Sequence, residues 1–330
     1  MTVSLVCSGL MFNASTLFTI MGAMIIMLYI GTIDDILSLS PYLRFVIEVI
    51  VILTLIYCNN YSLNDFHGLW GIGNIPQWVA VPLTVFACVG IINAINLIDG
   101  VNGLSSGYCI CTCAIFAGMF IWADDMEAAS LAMISAGALI PFFCHNVFGE
   151  KTKMFIGDGG ALLMGTIIST FVIGALNTNS PLAAKVGPDF GMIPFTLAIL
   201  AIPIFDTLRV MTARIVRGKS PFRPDKTHLH HLFLDLGFSH IGTTFTEIQS
   251  NLLIVLVWWL SYKAGMPIDC QLYIVIALGM LVTFGFYKFA RIQIQKDSKI
   301  YHILRKIGSR THISHTRGFK ALRDLLDRNC

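Results

Sequence analysis

Charged side chains are scarce in this chain of 330 residues. Asp, Glu, Lys and Arg make up 12% of it, about half of their usual share in soluble proteins, whereas 55% of the residues are hydrophobic and the mean hydropathy is +0.74. This number of charged side chains is too small for the surface of a soluble protein of this length. The composition excludes soluble, disordered, fibrous and disulfide-stapled classes. It predicts an all-α polytopic membrane protein, whose helices are apolar on all sides.

Signals of other classes are also lacking. The nine cysteines show no CxxC spacing, and Cys109, Cys111 and Cys113 alternate within an apolar run, which is typical of packing residues in a membrane helix rather than of a zinc site. The start MTVSLVCSGLMFN has no basic segment, so no cleavable signal peptide is predicted. The chain has no internal repeat and no low-complexity stretch.

Long apolar runs predict nine membrane spans, each near the ~20 residues that cross the hydrocarbon core. The predicted spans are Ala14–Ile33, Pro41–Cys58, Trp78–Ile98, Gly103–Ala123, Glu127–Cys144, Ala161–Leu176, Phe190–Val210, Asn251–Ala264 and Gln271–Phe289. We therefore expect a transmembrane domain over residues 1–289 and a separate tail over residues 290–330.

The 22 Lys and Arg residues are divided unequally between the two sides of these spans. Twenty lie on the side that follows odd-numbered spans, and only Lys185 and Lys263 lie on the other. The positive-inside rule therefore makes the first side cytoplasmic. The tail has a net charge of +8 and apolar residues at helical spacing. It is predicted to be a basic amphipathic segment on an anionic lipid surface, rather than a nucleic-acid binder.

Acids, amides and histidines gather at the predicted cytoplasmic ends of the spans. Burying such groups near the membrane is costly unless they have a partner or a use. They are Asp34 and Asp35; Asn93, Asn96, Asp99 and Asn102 in NAINLIDGVNGL; Asp158 in FIGDGGALLMG; Asp206; and Arg223, Asp225, His228, His230 and His231 in the segment PFRPDKTHLHH. Their convergence on one side predicts a functional site.

The spacing of these residues suggests a metal and phosphates. Asn93, Asn96, Asp99 and Asn102 lie three residues apart, so neighbours in the series share a helix face. Carboxylate and amide oxygens suit Mg²⁺, which also takes water and phosphate oxygens. Helix capping is the alternative for any one of them.

Two further motifs leave alternatives open. The glycines around Asp158 permit a ligand to approach the backbone closely, and the N-terminus of the following helix favours phosphate. A tight turn between spans explains these glycines about as well. The HLHH cluster with Arg223 and Lys226 suits phosphate or nucleotide binding better than iron or zinc, which would need further histidine clusters. A solvated loop is the third reading. Metal-binding acids, a basic loop and a membrane setting together predict phosphoryl transfer to a lipid.

These motifs resemble those of the polyprenyl-phosphate N-acetylhexosamine-1-phosphate transferases. The segments that carry the resemblance are, in chain order, Asp34-Asp35, NAINLIDGVNGL, FIGDGGALLMG and PFRPDKTHLHH. The resemblance extends from about Met1 to His240. The RPDKTHLHH form looks most like the bacterial N-acetylglucosamine branch. The resemblance implies transfer of N-acetylhexosamine 1-phosphate from a UDP-sugar to undecaprenyl phosphate in the bacterial inner membrane, with release of UMP. This reaction begins cell-envelope polysaccharides such as lipopolysaccharide O-antigen, and a homodimer is compatible with it.

The resemblance also implies residue roles. Asp158 and Asn102 are expected to bind Mg²⁺ or Mn²⁺, and Asp34 and Asp35 to activate the lipid phosphate or organise the metal. Asp99 is expected at the nucleotide. The predicted substrate-binding residues are Asn93, Asn96, Arg223, Asp225, His228, His230 and His231.

Two departures from the family pattern stand out. Many bacterial relatives carry Asp where this chain has Asn102, and the amide keeps an oxygen ligand but loses its charge. The family also usually has a further first span and a Pro-rich loop, which do not precede Met1 here, so the start looks truncated relative to the family.

A transporter or a non-catalytic membrane scaffold is the alternative from another class. A transporter would place ionisable groups in the middle of its spans and show repeated halves. Glu48 is the one acid well inside an apolar run, and Arg44, one turn earlier, is its predicted helix partner.

Overall fold

A computed structural model describes residues 14–220 and 227–328 of the chain. Within these ranges it is built from helices and connections, without a β-strand. Fifteen α-helices lie there: α1 Ala14–Leu37, α2 Pro41–Asn59, α3 Gln77–Leu97, α4 Leu104–Trp122, α5 Met126–Phe148, α6 Gly157–Leu176, α7 Pro181–Lys185, α8 Met192–Ile199, α9 Ala201–Val216, α10 Leu229–Asp235, α11 His240–Lys263, α12 Ile268–Met280, α13 Tyr287–Gln295, α14 Lys299–Ser309 and α15 Arg317–Leu326. A π-helical segment, Leu281–Phe286, joins α12 to α13.

Seven helical segments in the described ranges are long and apolar enough to cross a membrane. They are α1 to α6 and the continuous stretch Ile268–Gln295, and the bent pair α8–α9 adds an eighth if it forms one span. The predicted all-α polytopic fold is confirmed, whereas the count of nine spans is not. The remaining predicted span, Asn251–Ala264, is the second half of α11, a helix that buries the polar residues Glu247 and Asn251.

The segment predicted as one straight span, Phe190–Val210, is instead broken at Leu200, where α8 and α9 meet at 75°. The break is stabilised by a side chain from α11. The Asn251 amide accepts a hydrogen bond from the Ile202 N–H at 3.0 Å and donates to the Ile199 carbonyl at 2.8 Å. Backbone groups freed inside a membrane protein need such partners, because water is not at hand.

The helix α6 is the most buried of the candidate spans and packs against α1 and α3. Its contact with α1 is a backbone contact between glycines. A Cβ atom added to Gly31 would lie 2.4 Å from the Cα of Gly159. Gly165 lies equally close to α3, since its added Cβ would be 2.7 Å from the Cα of Ile92. These contacts bring the start of α6 beside the end of α1.

The last helix, α15, is attached to the loop between α5 and α6. The Asp327 carboxylate accepts hydrogen bonds from the backbone N–H groups of residues 150–152 at 3.1–3.3 Å and from the Thr152 hydroxyl at 2.8 Å. Arg323 forms an ion pair with Glu150 at 2.9 Å. This attachment will be called the tail latch.

Candidate active site

Arg44, near the start of α2, is the centre of a polar cluster at one end of the bundle. Its guanidinium lies 3.0 Å from an oxygen of Asp34, 3.6 Å from Glu48 and 4.0 Å from Asp158. Asn93 joins the same network, because its amide donates to Glu48 at 2.6 Å. The predicted Arg44–Glu48 helix pair is thus present, and the guanidinium also reaches acids from α1 and α6.

The two adjacent acids of α1 have different partners. Asp34 is buried and accepts hydrogen bonds from Arg44 and from the backbone N–H of Leu39 at 2.7 Å, which holds the turn between α1 and α2. Asp35 instead points to α6, where it accepts the backbone N–H groups of Asp158 at 3.0 Å and Gly159 at 3.4 Å. A carboxylate at a helix N-terminus satisfies unpaired N–H groups and suits the helix dipole.

The glycines of the GDGG segment face the protein. Gly157 has a φ of +62°, which favours glycine, and a Cβ there would lie 2.5 Å from the Asp35 carboxylate. Gly159 is buried against α1. The sequence suggested that these glycines allow a ligand to approach the backbone. In the structure, Asp35 and α1 make the close approach to Gly157 and Gly159.

Asp35, Asp99 and Asp158 are the Asp residues of the cluster that remain accessible, whereas Asp34 is buried. Asp158 keeps about a third of its side chain exposed (35%). Asp99 follows α3 and is an exposed residue, although the protein surrounds much of its carboxyl group. This desolvation, together with the negative charges of Asp158 and Asp35, raises the pKa of Asp99 to about 7.

The HLHH segment packs onto the loop that carries Asp99. His228 and His230 are buried, and their rings stack in parallel with centroids 5.6 Å apart. A Cβ added to Gly100 would lie 2.3 Å from Nε2 of His230, so the two loops are in direct contact. Burial lowers the pKa of His230 to about 3, with further lowering by His231 and His228, so this imidazole is neutral at pH 7.

The remaining predicted site residues have varied surroundings. Asn93 is buried, and its amide is occupied by Glu48 and the Val89 carbonyl. The backbone of Asn102 contacts α11, through His240 and Thr244, and no hydrogen bond or ion pair in the described part of the chain joins it to Asp158. The predicted residues Arg223 and Asp225 lie outside the described residues.

The oxygen ligands of this cluster fit a magnesium ion that is coordinated by few protein residues. Among residues 14–220 and 227–328, no group of three His, Cys, Asp or Glu side chains is placed to hold a metal without other ligands. Mg²⁺ usually needs only one or two protein carboxylates, with water and substrate phosphates supplying the rest. Asp158 and Asp99 are accessible and interact electrostatically, and four Asp residues outnumber the single Arg44. These residues fit a cation that is completed by a phosphate substrate.

Sequence reasoning missed two residues that organise this site. Arg44 was assigned only its helix partner Glu48, yet it also contacts acids of two other helices. Asp206 was noticed as a polar residue near a span end, yet its contacts with the HLHH segment join residues 22 positions apart. Helical spacing gives no signal for either contact, because the partners belong to different helices.

Comparison with known proteins gives a consistent set of relatives. The family model described as glycosyl transferase family 4 matches residues 17–176. The chain is similar to the undecaprenyl-phosphate alpha-N-acetylglucosaminyl 1-phosphate transferase of Escherichia coli K12, with 29% identity over 86% of this chain and 74% of the relative.

Two relatives from other bacteria are similarly close. A probable undecaprenyl-phosphate N-acetylglucosaminyl 1-phosphate transferase of Bacillus subtilis is 32% identical over 66% of this chain and 58% of the relative. The decaprenyl-phosphate N-acetylglucosaminephosphotransferase of Mycobacterium leprae is 30% identical over 64% of this chain and 56% of the relative. The matched region contains Arg44 and all four Asp residues of the cluster.

Proposed function

Because the chain belongs to glycosyl transferase family 4, we propose that it transfers N-acetylglucosamine 1-phosphate from UDP-N-acetylglucosamine to undecaprenyl phosphate. An oxygen of the lipid phosphate forms a bond to the phosphorus that carries the sugar. The bond from that phosphorus to the bridging pyrophosphate oxygen breaks, and UMP leaves with this oxygen. The other product, undecaprenyl-diphospho-N-acetylglucosamine, begins a cell-envelope polysaccharide such as O-antigen.

The observation that carries this proposal is the acidic cluster around Arg44 at one end of a bundle of membrane helices. Phosphoryl transfer depends mainly on positioning and on neutralising charge. A site at the end of the spans is within reach of both a lipid phosphate and a water-soluble nucleotide. The relatives' names point to the same pair of substrate classes.

Each residue of the cluster has a distinct task in this proposal. Mg²⁺, or Mn²⁺ in its place, would neutralise the pyrophosphate charge when bound. Asp158 and Asp99 would hold it, with Asn102 as the further ligand that the family resemblance implies. Asp35 fixes the backbone of Asp158, and Arg44 holds the ends of α1, α2 and α6 together.

The distribution of basic residues supports a position in the bacterial cytoplasmic membrane with this site on the cytoplasmic face. In the nine-span arrangement predicted from the sequence, twenty of the 22 Lys and Arg residues fall on the side of the cluster. Both proposed water-soluble compounds, the UDP-sugar and UMP, would then be exchanged with the cytoplasm.

The test is UMP release by the purified protein in detergent, with Mg²⁺, undecaprenyl phosphate and UDP-N-acetylglucosamine. We expect release that requires both the lipid and the metal, and its loss in Asp158→Asn. Asp124→Asn is the matched control, because Asp124 pairs with Lys185 in a connection far from the cluster. Its activity should equal that of the unmodified protein.

Two results would contradict the proposal. One is equal UMP release by Asp158→Asn and the unmodified protein. The other is the absence of UMP with every UDP-N-acetylhexosamine tested, although the protein is folded. The second result would favour the transporter or scaffold alternative.

A further inference from the structure

We infer that Asp206 is a positioning residue that orients His228 and thereby holds the HLHH segment against the Asp99 loop. Its effect on catalysis rests on the proposed function, whereas its effect on His228 does not. Asp206 lies on α9 and is buried, like His228.

The Asp206 carboxylate accepts four hydrogen bonds, two on each oxygen. Oδ1 accepts from Nη2 and Nε of Arg209, at 2.6 and 3.2 Å. Oδ2 accepts from Nδ1 of His228 at 2.9 Å and from the backbone N–H of Leu229 at 3.2 Å. Oδ1 thus pairs with the cation of Arg209, which neutralises the carboxylate charge. Oδ2 holds the start of α10.

This arrangement fixes the imidazole of His228 in one tautomer. Oδ2 already accepts the Leu229 N–H and carries no proton to donate, because Arg209 pairs with the same carboxylate. Nδ1 of His228 must therefore be the protonated nitrogen, and Nε2 is left as an acceptor in the neutral ring. A carboxylate that holds one histidine nitrogen in this way sets both the tautomer and the ring orientation.

The orientation of His228 is transmitted to the acidic cluster through ring contacts. The His228 ring stacks on His230 with an angle of 2° between their planes, and His230 lies against Gly100, the neighbour of Asp99. A rotation of His228 would displace His230 and release the Asp99 loop. Asp206 thus controls the position of an acid that it does not touch.

Arg209 anchors the other end of this arrangement. Its Nη2 donates to the Thr227 carbonyl at 2.6 Å, and its guanidinium lies 3.7 Å from the centroid of the Tyr287 ring. The first contact holds Thr227, which precedes His228, close to α9, and the second joins α9 to α13. The orienting role therefore falls to Asp206, the residue that contacts Arg209, His228 and Leu229 at once.

The first measurement reads the tautomer directly. The full-length protein is labelled with ¹⁵N in the histidine rings, and the His228 signals are identified by their loss in His228→Gln. We expect the proton of the neutral His228 ring to lie on Nδ1, and the ring to become a mixture of tautomers in Asp206→Asn. Asp235→Asn, which removes an ion pair between the end of α10 and Arg291 of α13, is the matched control and should leave the His228 signals unchanged.

The second measurement is a double-mutant cycle on UMP release. Asp206→Asn is expected to lower kcat by about 10- to 100-fold, the usual effect of losing a histidine-orienting partner. His228→Gln should lower it similarly, and the double variant should lose no more than the larger single loss. Multiplying losses would show that Asp206 does not act through His228 and would overturn the inference.

The two measurements separate this inference from the proposed function. A neutral His228 ring with its proton on Nε2 and none on Nδ1 in the unmodified protein refutes the inference whether or not UMP is released. The Nδ1 tautomer in a protein that releases no UMP refutes the transferase proposal and leaves the positioning role intact. If Asp206→Asn does not fold, the spectrum of the unmodified protein still decides the tautomer.

Discussion

Asp35 accepts a hydrogen bond from the backbone N–H of Asp158 at 3.0 Å, across 123 positions of sequence. Its neighbour Asp34 pairs with Arg44 instead. Two adjacent carboxylates thus hold two different helices, α6 and α2, against the end of α1. The N-terminus of α6 is already occupied by an anion of the protein itself.

The cap on α6 gives a prediction about stability. Asp35→Ala should lower the free energy of unfolding by about 1 kcal/mol, because the N–H groups of Asp158 and Gly159 lose their acceptor. Asp35→Asn should restore most of this loss, since an amide oxygen also caps a helix. Thermal unfolding in detergent measures both variants. Equal destabilisation by Ala and Asn would contradict the capping role.

The glycine contact between α1 and α6 gives a second prediction. Gly31→Ala should lower the unfolding midpoint, at a cost of about 1–3 kcal/mol, because the new methyl group would meet the backbone of Gly159. Gly22→Ala is the control on the same helix, since none of the described residues outside its own stretch of helix has an atom within 4 Å of the added Cβ. If both substitutions change the unfolding midpoint equally, α1 and α6 do not approach each other closely at Gly31.

Arg44 gives a third prediction. Arg44→Met should destabilise the protein by about 3–5 kcal/mol, because buried Glu48 and Asp34 lose their cation. Arg44→Lys should cost less. Lys185→Met removes the cation of an exposed pair and should cost at most about 1 kcal/mol. Chemical unfolding followed by intrinsic fluorescence compares the three, and a small loss in Arg44→Met would refute the central role of this residue.

The tail latch gives a prediction about pH. Hydrogen bonds from Thr152, Lys151 and Glu150 lower the pKa of Asp327 to about 2. A carboxyl group whose pKa is lower in the folded state stabilises it above its unfolded pKa of about 3.9, and loses that contribution as the pH falls towards 2. Hydrogen exchange of residues 149–153, corrected for intrinsic rates, should therefore rise between about pH 4 and pH 2.

The same latch is testable at neutral pH. Asp327→Ala should speed tryptic cleavage after Lys151 and Lys153, because the loop loses its acceptor. Asp324→Ala is the matched control, because Asp324 forms an ion pair with its neighbour Arg323 and accepts no hydrogen bond from the described residues of this loop. It should leave the cleavage rate unchanged. Equal rates in all three proteins would show that the latch does not hold in solution.

Apolar runs predicted the α-helical class and most of the spans, because each run reports the surroundings of its own helix. Prediction from apolar runs failed where a side chain distant in sequence determines the local structure. The bend at Leu200 depends on Asn251, and the paired acids depend on Arg44 and on the start of α6. The motif residues were recognisable from their chemistry, but whether Asn93 would be buried against Glu48 could not be read from spacing.

The bend between α8 and α9 has a consequence for the order of assembly during synthesis. Ile202 is made 49 residues before Asn251, the residue that accepts its N–H. At about 5–20 residues per second, the ribosome needs several seconds to supply that partner. Until then the segment has the length and apolarity of an ordinary straight helix. The bend therefore gains this stabilising hydrogen bond late in synthesis, only after Asn251 of α11 has been made.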